Sequence, residues 1–125
     1  MKKSSALTGA AVATAALVLG VAPPAASASP TAWECSVGDV CFWSGYGGTG
    51  QRCAFDIKDP NWHVAPVVCS WAGSTTVKSI WNRNSSPVRY YVSTNYNGWI
   101  GCTLSGGRGD LTGTYTVSSH QFTLC

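Results

Sequence analysis

CFWSGYGGTGQRC, residues Cys41 to Cys53, places three aromatic rings and four glycines between two cysteines. Glycine serves backbone that must take positive φ or approach another group closely. Aromatic rings bring large buried area. The combination predicts a strand running into a tight, folded-over turn, and not a flexible linker. What that turn supports depends on the chain around it.

The N-terminus reads as an export signal. Met1-Lys2-Lys3 is positive, Ala10 to Val21 is apolar, and Ala26-Ser27-Ala28 has the small-x-small form of a cleavage site. Residues 1–28 are therefore expected to be a signal peptide, leaving one small domain over residues 29–125. The apolar run is too short for a membrane anchor, and Pro23-Pro24 follow it. Without residues 1–28, six cations (Arg52, Lys58, Lys78, Arg83, Arg89, Arg108) face five acids (Glu34, Asp39, Asp56, Asp59, Asp110), a net charge of +1. No basic cluster is present, so neither nucleic acid nor an anionic membrane is an expected partner. A monomer is expected.

Six cysteines follow the signal: Cys35, Cys41, Cys53, Cys69, Cys102 and Cys125. In an exported chain that number reads as three disulfides, with 15 possible pairings. Pairing in chain order is the expectation adopted. Each of the two longer loops would then contribute ~3 kcal/mol by restricting the unfolded chain. The cysteines lack Cys-x-x-Cys spacing and the histidines are isolated, so zinc is not expected.

Helical periodicity is absent, and short β-rich runs alternate with turn residues. Strands are expected at Asp39–Trp43, Arg52–Ile57, Pro66–Trp71, Thr76–Asn82, Val88–Ser93, Gly98–Leu104, Thr114–Ser118 and Gln121–Leu124, an all-β sandwich. The chain also repeats. Tyr46-x-Gly48 aligns with Tyr96-x-Gly98 at an offset of 50 residues, with Cys53 and Cys102 close behind. Two copies of one supersecondary unit follow, at about 34–82 and 83–125.

These residues carry a family resemblance. Aromatic-x4-aromatic-x-Gly resembles the Greek-key motif of βγ-crystallin domains. Tyr91, Tyr96 and Gly98 fit it fully; Tyr46 and Gly48 fit it with Cys41 in the leading aromatic position. Ser79, and Ser118 or Ser119 (Ser118 being preferred), match the serine that pins the folded hairpin. The opening CSVGDVCFW resembles the start of secreted bacterial domains of peptidase inhibitor family I36. The resemblance implies a disulfide-stapled, βγ-crystallin-like Greek-key sandwich of two related motifs. It also implies inhibition of metalloproteinases. Gly48 would supply unusual backbone geometry, and Tyr46 would pack as a corner.

Many microbial domains of this type bind calcium through paired Asn or Asp near the serine turn. The matching positions here hold Ser74-Thr75 and Thr114-Tyr115, which bring no charge, so no cofactor or metal is expected. Catalysis is not expected either. The acids show no paired spacing, Gly-x-Ser-x-Gly is absent, and oxidised cysteines are not nucleophiles. Arg108-Gly109-Asp110 and Asn84-Ser85-Ser86 read as ordinary turn sequence. Of six tryptophans, Trp43, Trp71 and Trp81 sit in strand runs and are expected in the core. Trp62 and Trp99 lie among turn residues and are expected exposed, as partner contacts with His63.

The leading reading is a secreted protease inhibitor whose Lys58–Pro66 segment, braced by Cys53 and Cys69, blocks the enzyme's cleft. Alternatives are a killer-toxin-like or antimicrobial protein, and a carbohydrate or cell-wall binding module using Trp62 and Trp99. A hydrolase ranks last.

Overall fold

In the computed structural model, which describes residues 31–125, seven antiparallel strands form two sheets. The proposed signal peptide lies outside the described residues. The strands are β1 (Val40–Trp43), β2 (Arg52–Phe55), β3 (Ser79–Asn82), β4 (Val88–Ser93), β5 (Asn97–Thr103), β6 (Arg108–Asp110) and β7 (Ser119–Phe122). One sheet runs β2-β1-β3-β6 and the other β5-β4-β7. Among the described residues no helix forms.

Alternation along the strands explains the layering. Val40 and Phe42 of β1 face the central core with Phe55, Ile80, Val88 and Tyr90. Cys41 and Trp43 face the other way and are also buried. Their cover is the N-terminal segment from Thr31 to Gly38. It is stapled by Cys35–Cys41, and its Trp33 packs with Trp81 of β3 against this second cluster. The other disulfides are Cys53–Cys69 and Cys102–Cys125, so the pairing follows chain order.

The halves exchange segments. Strands β1 to β3 come from the first half, but β6 of the second half completes their sheet, pairing Ile80 with Gly109. The reciprocal segment of the first half is a single bridge, Asp59 with His120 on β7. Each half thus closes the other's sheet, which couples the two hydrophobically and through backbone hydrogen bonds.

Both hairpins are pinned by one buried serine. Ser79 Oγ donates to Gly45 O (2.6 Å) and accepts from Gly48 N (2.9 Å). Ser119 Oγ donates to Ser93 O (2.5 Å) and accepts from Tyr96 N (3.1 Å). The second pin is therefore Ser119, and not Ser118; Ser118 Oγ instead meets His63 Nε2 at 3.1 Å. Adjacent strand-end residues point to opposite sides, so only one of the two serines can reach the hairpin.

These bonds also reset the repeat. Gly48 corresponds to Tyr96 and Gly45 to Ser93, an offset of 48 residues. Backbone angles agree: φ is +65°, +70° and +87° at Gly47, Gly48 and Gly50, and +60°, +59° and +76° at Asn95, Tyr96 and Gly98. The Tyr-x-Gly alignment at 50 is two residues out of register. Accordingly Tyr46 is not the corner; it is 58% exposed, with Lys78 Nζ over its ring.

Trp33 stands in the corner instead. Its ring meets Trp43 edge-on at 5.4 Å, as Tyr96 meets Tyr91 at 5.8 Å in the other half. Trp33 N donates to Gly48 O (3.0 Å), and a Cβ on Gly48 would lie 2.6 Å from Trp33. Glycine at 48 thus serves both a positive φ and a close approach.

Several expected strands are absent. Pro66–Trp71 forms hydrogen-bonded turns, because Pro66 gives no N–H and Cys69 and Ala72 bond locally. Thr114–Ser118 is irregular, although Tyr115 O accepts from Val77 N (2.9 Å). Arg108-Gly109-Asp110, expected as a turn, forms the short β6 by pairing with β3. Trp81 is only partly buried, on the outer face of its sheet.

Ser79→Ala is expected to cost about 1–3 kcal/mol, since it strips a buried N–H of its acceptor and a carbonyl of its donor. Urea unfolding would read this directly, and Ser118→Ala should cost less than Ser119→Ala.

Candidate functional site: a loop anchored by a buried tryptophan

The long connection between β2 and β3 carries a turn series that its side chains dictate. Asp59 Oδ1 accepts from Asn61 N and Asn61 Oδ1 accepts from His63 N, both at 2.9 Å. Such consecutive Asx turns replace strand or helix bonding with local bonding. The chain then reaches Trp62, which is wholly buried.

Trp62 is the anchor of this connection. Its indole stacks on Phe55 at 4.7 Å and meets Phe42 edge-on at 4.7 Å. Its backbone N donates to Ser118 O (2.9 Å) on the approach to β7, and its O accepts from Cys69 N (2.8 Å). The expectation that Trp62 is an exposed partner contact is thus corrected. Phe42, Phe55 and His120 converge on its position from three strands, and local turn residues could not reveal that.

His120 completes the anchor. Trp62 Nε1 donates to His120 Nδ1 (2.9 Å). Indole N–H can only donate, so Nδ1 is unprotonated and Nε2 carries the hydrogen. Nε2 then donates to Ile57 O (2.9 Å), tying β7 to the loop's first residues. Burial lowers the His120 pKa from 6.5 to about 4, against the opposing pull of the Ile57 bond, so the ring is neutral at pH 7.

Six residues lie between the two feet, Trp62 and Cys69: His63, Val64, Ala65, Pro66, Val67 and Val68, of which Val67 packs back against the core. All but Val67 are exposed, Val64 at 50% and Val68 at 60%. Ile57, exposed at 61%, adds a further apolar side chain on the same connection. The Ala65–Pro66 peptide is cis. The neck is closed by the Cys69 N–Trp62 O bond and by Cys53–Cys69, a bridge that contributes ~3 kcal/mol in a loop of this length. Asn95 N, from the second hairpin, also donates to Pro60 O (2.8 Å).

The geometry can present a short apolar segment on rigid supports. It brings together His63 and the valines that follow, and excludes Trp62 from contact with any partner. His63 is exposed and rests on Ser118. Trp99 is exposed at 57%, but on β5, where its neighbours are Arg89 and Gly101. Lys58, the start of the expected segment, is exposed but precedes the anchor. The exposed part runs from His63 to Pro66 and resumes at Val68, with Val67 turned to the core.

Comparison with known proteins agrees with this architecture. A family model for peptidase inhibitor family I36 matches residues 28–103. A solved structure described as "Evolution of the eye lens beta-gamma-crystallin domain fold" is similar at 14% identity and TM-score 0.57, covering 81% of this chain and 95% of that one. A βγ-crystallin from Ciona intestinalis is similar at 14% identity and TM-score 0.51, covering 69% of this chain and all of that one. These two likenesses show the fold. A search of curated proteins finds no match. The family match spans β1 to β5 and includes the whole anchored loop.

Proposed function

Because the chain belongs to peptidase inhibitor family I36, we propose that it is a secreted inhibitor of a metalloproteinase, and that His63–Val68 is the segment entering the enzyme's cleft. The observation that carries this is the loop's construction: exposed apolar residues held between a buried tryptophan and a disulfide. Segments already ordered before association lose less conformational freedom on binding, so more of the contact energy appears as affinity. Val64 and Val68 would fill apolar subsites, and His63 would contact the cleft's rim.

Secretion is part of the proposal. Three disulfides and no free cysteine suit an oxidising compartment. Among the described residues no helix is long and apolar enough to cross a membrane. The protein acts here by occupancy and not by catalysis.

The test is a titration of the purified, oxidised protein, residues 29–125, against a panel of secreted zinc and serine proteases. Stoichiometric loss of activity in a zinc protease is expected. Failure to inhibit any zinc protease would refute the proposal.

A further inference from the structure

The two sheets differ in what lies on their outer faces. The strand register equates Cys41, Ala54 and Trp81 on the first sheet with Arg89, Cys102 and Gln121 on the second. The first row lies against the N-terminal segment and its Trp33. The second row instead carries Cys102, bonded to Cys125 in the segment after β7, and leaves Trp99 exposed at 57%. There Gln121 Nε2 donates to Tyr91 OH (2.8 Å), and Trp99 stands open beside Arg89.

Trp99 is held, although it is exposed. Its indole N–H is committed to Gly101 O (3.0 Å), and the Arg89 guanidinium lies 5.0 Å from the ring centroid. A fixed indole with its N–H already used offers a ligand its remaining π-face. Arg89 is the second feature. Its Nε is buried without an acceptor among the described residues, and no carboxylate there pairs with it. Arg83, in a similar contact with Trp81, instead donates to Cys35 O (2.7 Å). A cation whose water is partly removed and not replaced gains more from an incoming anion at its outer nitrogens.

We propose that the outer face of β4, β5 and β7 binds an acidic saccharide. The C–H face of a pyranose ring stacks on Trp99, and a carboxylate on the sugar pairs with Arg89. The site is separate from the His63–Val68 loop and does not depend on the inhibitor reading. Such a protein would stay attached to acidic polysaccharide while inhibiting a protease.

Calorimetry with tetragalacturonic acid and its methyl ester tests this, since the ester keeps the rings and removes the charge. The acid is expected to bind at least tenfold more tightly than the ester. Trp99→Ala should abolish binding of both, and Arg89→Gln should remove only the preference for the acid. Each variant should keep its unfolding midpoint and the Trp99→Ala protein its protease inhibition. No binding of the acid, equal binding of acid and ester, or unchanged binding by Trp99→Ala would each overturn the proposal. Loss of protease inhibition in Trp99→Ala with saccharide binding intact would overturn it too, by placing Trp99 in the protease interface.

Discussion

Trp62→Ala is expected to lower the unfolding free energy by about 3–5 kcal/mol, the usual cost of deleting a fully buried large aromatic side chain. In a domain of this size that corresponds to a fall in Tm of roughly 15–30 °C. Three effects act together. The cavity removes the contacts with Phe42 and Phe55. The loss of Nε1–H leaves His120 Nδ1 without its donor. The loop's first foot loses its side-chain anchor. Trp62→Phe separates these effects in part, because it keeps one aromatic ring in the site and deletes the N–H together with the second ring. It should cost less than Trp62→Ala but at least about 1–3 kcal/mol, the range for a buried acceptor left unpaired, with a smaller cavity added. Thermal unfolding of both variants checks the ranking; equal stability of Trp62→Ala and the unaltered protein would show that the tryptophan is not the anchor.

Acid is expected to destabilise the protein through His120. The unfolded histidine takes a proton near pH 6.5, whereas the folded one does so only at about 4. Between those values the unfolded state holds more protons, so stability rises with pH across the window. The full contribution is present above pH 6.5 and is lost as pH falls to 4, about 3 kcal/mol in all. Asp39 works the other way. Its own burial, then Asp56, raise its pKa against Arg52, so its protonation favours the folded state. Comparing the unaltered protein with His120→Gln isolates the histidine. The variant should lose clearly less stability between pH 7 and pH 4, and parallel pH profiles would contradict the assignment. Protonation would break the Trp62 bond, so the loop base should loosen over the same range.

Much of this architecture could be read from residue order because its signals are local. The glycine turn after Trp43 and the strand runs each act within a few residues, and the disulfides join neighbours in cysteine order. Where reading failed, a distant partner decided the outcome. Trp62 sits among turn formers, yet His120 and Ser118, more than 50 residues away, make it core. The repeat looked like an offset of 50 because Tyr-x-Gly recurs at that spacing. Hydrogen bonding to Ser79 and Ser119 follows the backbone instead, and sets 48. Trp33 could not be assigned from sequence, since it supplies the first half's corner ring from outside the repeat. Cys53 and Cys69 mark the loop in the sequence, but the position of its exposed part is set by Trp62, whose burial depends on distant partners.

The inhibitor account stands or falls on the loop's apolar tip. Its most direct measurement is the inhibition constant of Val64→Asp/Val68→Asp against a zinc protease that the unaltered protein inhibits. Both valines are exposed, so the double variant should fold with an unchanged unfolding midpoint. The account predicts at least a 100-fold weaker inhibition, about 2.7 kcal/mol of lost binding energy. An inhibition constant unchanged by both charges would contradict it.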